Sequence, residues 1–252
     1  MPVNEWTDDA LLSLFDDVVV GVRRALDGLD DWGLAGTRAG QYRSDLAADD
    51  VALHILDRAG IGVLSEESGL ARADQPVIVV IDPVDGSTNA SLGIPWFATS
   101  LCAVDGDGPR VAMVANQAMG TRFTAVRGGG AWRDGVAISP SSVTEMRRAV
   151  VTLSGMPPRW LGWKQYRALG AAALDLCAVA SGMVDAYIDC SHNAHGSWDY
   201  LGGMLVCTEA GALIVDALDR DLVELTLEGR RTPVAAATKD LLAQVVEARR
   251  TF

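Results

Sequence analysis

Cysteine and histidine are scarce in this 252-residue chain, and positive charge is in deficit. The four cysteines, Cys102, Cys177, Cys190 and Cys207, are widely scattered, none in a CxxC pair, each among apolar neighbours. That pattern argues against a disulfide scaffold or zinc ribbon and reads as buried free thiols. His192 and His195 lack the spacing of a helical metal pair, and no second ligand pair lies nearby, so they read as loop residues. Lys and Arg number 21 against 33 Asp and Glu, a net charge of −12. Phosphate backbones seek basic patches, so nucleic acid is not an expected partner. No apolar run reaches the length of a membrane span, and Met1-Pro2-Val3-Asn4-Glu5 has neither basic flank nor apolar leader core. The expectation is a cytoplasmic protein with no membrane partner. What remains is ordinary globular composition, 49% hydrophobic and 21% charged, in a chain long enough for one large domain or two lobes.

The most informative stretch is Asp82-Pro83-Val84-Asp85-Gly86-Ser87-Thr88-Asn89, directly after the apolar run Val77-Ile78-Val79-Val80-Ile81. The run predicts a buried strand. Two carboxylates three residues apart at its end repel each other and lose hydration unless a cation or a set of donors neutralises them. Pro83 stiffens the turn, and Gly86 lets backbone approach a ligand closely. Ser87, Thr88 and Asn89 are capping types that offer free N–H groups at a helix start. Carboxylates for a metal beside amides for an anion suit a metal-assisted phosphate site. The plainer reading is an acidic Pro/Gly turn, since Asp-Pro and Asp-Gly are common turn dipeptides. An EF-hand loop is excluded, because its alternating oxygen ligands and later Glu are missing.

Apolar positions Leu11, Leu14, Phe15, Val18, Val22, Leu26 and Leu29 predict a helix from about Thr7 to Leu29. A second helix is expected from Ser44-Asp45, with Leu46, Leu53 and Leu56 on its buried side. Strands are expected over Phe97–Val104 and Arg110–Asn116, joined by a turn at Asp105-Gly106-Asp107-Gly108, and over Arg122–Val126, Ala131-Trp132 and Arg148–Leu153. Gly128-Gly129-Gly130 lies between strand-like segments, so it is no dinucleotide fingerprint. Further along, helices over Gly170–Gly182, Asp199–Ala210 and Lys239–Arg249 alternate with strands at Ala186–Ile188, Ala212–Val215 and Val234–Ala237. A meander followed by alternation predicts a layered α+β architecture. Arg249 and Arg250 suit a helix C-terminus.

Acidic residues at Asp45, Glu66, Asp82, Asp85 and Asp199 could converge, although each also reads as a cap or a solvated turn. Three segments separate these readings: Leu64-Ser65-Glu66-Glu67-Ser68, Asp82 to Asn89, and Trp198-Asp199-Tyr200-Leu201-Gly202-Gly203. In order and spacing they resemble the signature segments of the inositol monophosphatase family. Ser44-Asp45-Leu46-Ala47-Ala48-Asp49 and Gly170 through Tyr187 are similar to two further family segments, so the resemblance covers nearly the whole chain.

The resemblance implies a Mg²⁺-dependent, lithium-sensitive phosphomonoesterase on a layered αβαβα sandwich of the inositol monophosphatase/fructose-1,6-bisphosphatase type. It implies a single domain over residues 1–252, with lobes of roughly 1–145 and 146–252, and a homodimer. Two or three Mg²⁺ per site would be held by Glu66, Asp82, the Val84 carbonyl, Asp85 and Asp199. Ser87 paired with Asp45 would orient the attacking water, and Gly86 and Ser87 amides would bind phosphate. Asp189 would grip substrate hydroxyls, with Ala172 lining that pocket. Such ions also reconcile a net charge of −12 with a phosphate substrate. The chain has no His base near these motifs, which fits ion-activated water better than a triad. The leading expectation is hydrolysis of a small polyol or sugar phosphate, inositol 1-phosphate by default. The alternatives are 3′-phosphoadenosine 5′-phosphate, fructose 1,6-bisphosphate or histidinol phosphate, or a non-catalytic regulatory protein on the same fold. No basic cluster for a second phosphate is evident, Arg159, Lys164 and Arg167 being the only candidates near the substrate-side region. The segment Asp189–Trp198 is about three residues longer than usual in the resemblance and carries both His192 and His195.

Overall fold

The computed structural model of the chain describes residues 6–38 and 40–252. The N-terminal residues read above for a leader lie outside them. Helix α1 (Asp8–Asp27) starts on Thr7, whose side chain accepts the Ala10 amide, and α2 (Arg43–Ala59) follows. Strands β1 (Gly62–Ser65), β2 (Gly69–Ala71) and β3 (Ile78–Asp85) lead to the short helix α3 (Ser87–Ser91). Then come β4 (Ala98–Asp105), β5 (Gly108–Asn116), β6 (Arg122–Val126), β7 (Gly130–Arg133) and β8 (Val136–Ala137). The rest of the chain is β9 (Val150–Ser154), β10 (Gln165–Arg167), α4 (Ala172–Ala180), β11 (Ala186–Asp189), α5 (Ser197–Ala210), β12 (Leu213–Asp216), β13 (Pro233–Ala236) and α6 (Lys239–Arg249).

Two sheets result. One has eight strands in the order β2-β1-β3-β4-β5-β6-β7-β8; the other has five, β10-β9-β11-β13-β12. The apolar stripe of α1 (Leu11, Phe15, Val18, Val22) packs with Ala52 and Leu56 of α2 against Val79, Ile81, Leu101 and Val111 on one face of the large sheet. Its other face, through Val80, Cys102 and Val114, shares a core with Ala173 and Leu176 of α4, Leu201 and Leu205 of α5, and Tyr187 and Ala235 of the small sheet. Leu241 and Val245 of α6 cover the outer face of that sheet against Val151, Ile188 and Val234. The order is therefore helix, sheet, helix, sheet, helix, as expected. The helices between the sheets are rich in small residues because both faces are covered, and every residue of α4 is buried.

Local readings failed in identifiable ways. Leu46 is exposed, because α2 turns Asp45, Ala48, Asp49, Ala52 and Leu56 inward instead. β10 has all three residues exposed, so it carries no apolar pattern to betray it. Arg249 stands in the last turn of α6 as expected, but its burial was not foreseen. It is 1% exposed, and its guanidinium donates to the Asp189, Ser191 and Phe252 carbonyls. Three of the four cysteines are buried and all are free. Among the described residues, no helix is long and apolar enough to cross a membrane.

Candidate active site

Strand periodicity alone would send Asp82 and Asp85, three residues apart, to opposite faces. A register shift in the β3–β4 pairing between Asp82 and Asp85 breaks that parity. The bend is closed locally by the Val84 amide, which donates to Asp82 Oδ1 at 2.9 Å. It is braced from the far side: Thr99 Oγ1 donates to the Pro83 carbonyl, and Gln117 Nε2 donates to Thr99 Oγ1 and to the Val19 carbonyl of α1. Gly86 follows in the left-handed region at φ 90°. A Cβ there would lie 3.0 Å from the Gly170 carbonyl oxygen and 3.1 Å from that of Trp96. Gly86→Ala is therefore expected to cost about 1–3 kcal/mol, read as a lowered denaturant midpoint; an unchanged midpoint would mean that the turn relaxes freely. Gly86 caps α3 with no side-chain acceptor on that helix's first amides, and Ser87 is its first residue.

Other elements bring the remaining carboxylates to this bend. β1 runs parallel to β3 with Ser65 opposite Ile81, so the next residue, Glu66, emerges beside Asp82. Asp199 sits in the first turn of α5, where its Oδ2 accepts the Gly196 amide at 2.7 Å. Carboxylate oxygens of Glu66, Asp82 and Asp199 lie within 4.8 Å of one another. Asp85 is buried close by, with Oδ1 accepting the Ala172 amide at 3.2 Å and Oδ2 the Ala173 amide at 2.8 Å, at the start of α4. Ala172 thus meets the site through its backbone; its side chain is in the core.

Asp45 Oδ2 accepts the Tyr42 amide at 2.8 Å. Asp45, Glu66, Ser87 and Trp198 line one cleft of about 540 Å³, with Arg38 and Arg230 at its wall. Arg38 pairs with Glu67 at 2.5 Å, while the Arg230 guanidinium stands 5.1 Å over the Trp198 ring. These two arginines line the cleft, whereas the candidates Arg159, Lys164 and Arg167 do not; Arg159 donates to Thr251. Asp189, expected to grip substrate hydroxyls, is fully buried in this structure. His195, on the loop before α5, lies between Asp189 and Asp199, whereas His192 is exposed. Asp49 was passed over in the sequence. One turn beyond Asp45 on the same face of α2, it accepts the hydroxyls of Ser65 and Ser68 and so ties the helix to the Glu66 loop.

The cluster is electrostatically unstable by itself. Burial, with the neighbouring Asp199 and Glu67 carboxylates next in weight, pushes Glu66 up to about 8. Burial and Asp199 push Asp85 to about 7, against the pull of the Ala173 amide. Asp82 is raised well above its ordinary value by burial and by Glu66, and Asp45 to about 6 by burial. His195 is lowered by burial but raised more by Asp199 and Asp189, reaching about 9. A cage of oxygen donors alone, with acids reluctant to ionise together, fits a hard divalent cation.

The model of the inositol monophosphatase family matches residues 45–251. A fructose-1,6-bisphosphatase of Pyrococcus furiosus is 30% identical over 209 residues, 80% of each chain. An inositol monophosphatase of Mesembryanthemum crystallinum is 33% identical over 190 residues, 69% of this chain and 67% of that one. Among solved structures, an extragenic suppressor from Pyrococcus furiosus superposes with a TM-score of 0.83 at 26% identity, covering 94% of this chain and 99% of that one.

Proposed function

The chain belongs to the inositol monophosphatase family of phosphoric monoester hydrolases, and from that premise we propose that it hydrolyses a small polyol or sugar phosphate, inositol monophosphate first among them, with Mg²⁺ as its cofactor. The observation that carries this reading is the 4.8 Å convergence of Glu66, Asp82 and Asp199 oxygens. Glu66, Asp82, Asp199, Asp85 and the Val84 carbonyl would hold two or three ions. Bound there, Mg²⁺ supplies Lewis acidity toward the phosphoryl group and makes water a better nucleophile.

The chain's own groups do the rest. The Gly86 and Ser87 amides, at a helix start with no side-chain cap, would donate to phosphoryl oxygens, where charge develops. Asp45, which burial raises to about 6, and the Ser87 hydroxyl line the same cleft and would together orient the attacking water. The Trp198 ring and the Arg230 guanidinium wall the cleft on the side of α5. The reading includes one catalytic domain of two lobes, because α4 and α5 bury their faces against both sheets. It also includes a cytoplasmic homodimer, which mass measurement in solution addresses.

Phosphate release from a panel of inositol 1-phosphate, fructose 1,6-bisphosphate, 3′-phosphoadenosine 5′-phosphate and histidinol phosphate tests it. Release from inositol 1-phosphate is expected only with Mg²⁺, and Li⁺ is expected to suppress it. No release from any member of the panel would remove the enzymatic reading. A second substrate, fructose 1,6-bisphosphate, is favoured by the 30%-identical relative and by the two arginines at the cleft.

A further inference from the structure

The loop between β11 and α5 directs one imidazole into the gap between two carboxylates. His195 has a side chain only 13% exposed; its Nδ1 lies 3.3 Å from Asp199 Oδ2, and its Nε2 lies 3.7 Å from Asp189 Oδ1. The same Nε2 is 3.1 Å from both the Tyr187 hydroxyl and the Ser154 hydroxyl. Asp189 has no exposure; Oδ1 accepts the Ser191 amide at 2.8 Å, and Oδ2 is buried with no hydrogen-bond partner. The main chain on both sides is pinned. The Arg231 amide donates to the His195 carbonyl at 2.9 Å, and Arg249 Nε donates to the Asp189 carbonyl at 2.6 Å. An imidazole held this firmly cannot follow Asp199; Asp199 must conform to it.

We propose that His195 is a positioning residue that aims the Asp199 carboxylate at Glu66 and Asp82, and that Asp189 acts through His195 instead of touching substrate. This rests on the reading of Asp199 as a cation ligand. The Gly196 amide and the His195 imidazole both meet Asp199 Oδ2, and a rotamer that broke these contacts would turn the carboxylate away from Glu66 and Asp82. Outer partners that fix a ligand's orientation commonly govern metal affinity by about 10–100-fold.

The two ring nitrogens can be separated by substitution. An Asn amide reaches the place of Nδ1, beside Asp199; a Gln amide reaches the place of Nε2, beside Asp189, Tyr187 and Ser154. Mg²⁺ would be titrated calorimetrically into metal-free wild type, His195→Asn and His195→Gln, without substrate, and Tb³⁺ luminescence would report the same site. His195→Asn is expected to bind within about threefold of wild type and His195→Gln about 10–100-fold more weakly. Equal losses, or no loss in either, would overturn the proposal. Asp189→Asn provides an independent arm: weaker Mg²⁺ binding with unchanged substrate KM supports the tether, whereas a raised KM with unchanged Mg²⁺ binding refutes it. A failure of the phosphatase panel leaves these binding outcomes intact. A wild-type protein that binds no divalent cation refutes the cage and the tether together.

Discussion

Asp85→Asn is expected to reduce phosphate release by at least about a thousandfold, about 4 kcal/mol of transition-state stabilisation. Two effects add. The substitution removes a negative charge from the rim of a carboxylate cage, where a cation must be held and the phosphoryl charge balanced. It also replaces an acceptor. Both Asp85 oxygens receive amides from the first turn of α4, at Ala172 and Ala173. An Asn can satisfy one of these amides but presents its own NH₂ to the other, and a helix N-terminus prefers the anion. Some loss of stability, about 1–3 kcal/mol, is expected alongside, so unfolding of the variant should be measured in the same buffer. Steady-state turnover of a folded variant decides the matter. Turnover within tenfold of wild type would mean that Asp85 serves the α4 terminus alone.

Divalent cations should stabilise the fold, and more so at high pH. The sign follows from the direction of the shifts. Glu66 moves from an ordinary 4.5 to about 8 and Asp85 from 3.8 to about 7 in the folded chain. Raised acids favour their protonated forms in the folded state. Between about pH 4 and 8 the unfolded chain therefore sheds protons that the folded chain keeps, and the metal-free protein loses stability as pH rises through that window. A bound cation replaces those protons. At a hundredfold excess over Kd the gain is about 2.7 kcal/mol, or about 5–10 °C in Tm for a domain of this size. Scanning calorimetry with EDTA or with Mg²⁺ should show that gain at pH 8 and a clearly smaller one at pH 5.5. Equal gains at both pH values would show that the cage does not titrate as described.

Much of this architecture was legible because its signals are local. The apolar run of β3, the α1 stripe and the helix start after Gly86 are set within a few positions, and the helices and strands formed there within a residue or two. What escaped reading is set by partners distant in sequence. Leu46 was assigned to the core by type, but the buried face of α2 is fixed by where Asp45 and Asp49 must meet the Glu66 loop. Arg249 ends its helix as read, but its burial escaped reading because two of its acceptors lie about 60 residues away. Asp189 and His195 carried no periodic pattern; only folding shows an acid turned inward behind an imidazole. Arg38 and Arg230, nearly 200 residues apart, are neighbours only because two unrelated loops border one cleft.

The hydrogen bonds running Val19–Gln117–Thr99–Pro83 tie the catalytic bend to a helix outside the cleft. Residues 8–27 precede the matched span of 45–251 and contribute nothing to the cleft lining, yet a main-chain oxygen of α1 anchors the far end of the strut that sets the bend. Sliding that helix by a fraction of an ångström would be transmitted through two side chains to the spacing of Asp82 and Asp85. A helix that lines no part of the cleft is thus positioned to influence how Asp82 and Asp85 meet an ion.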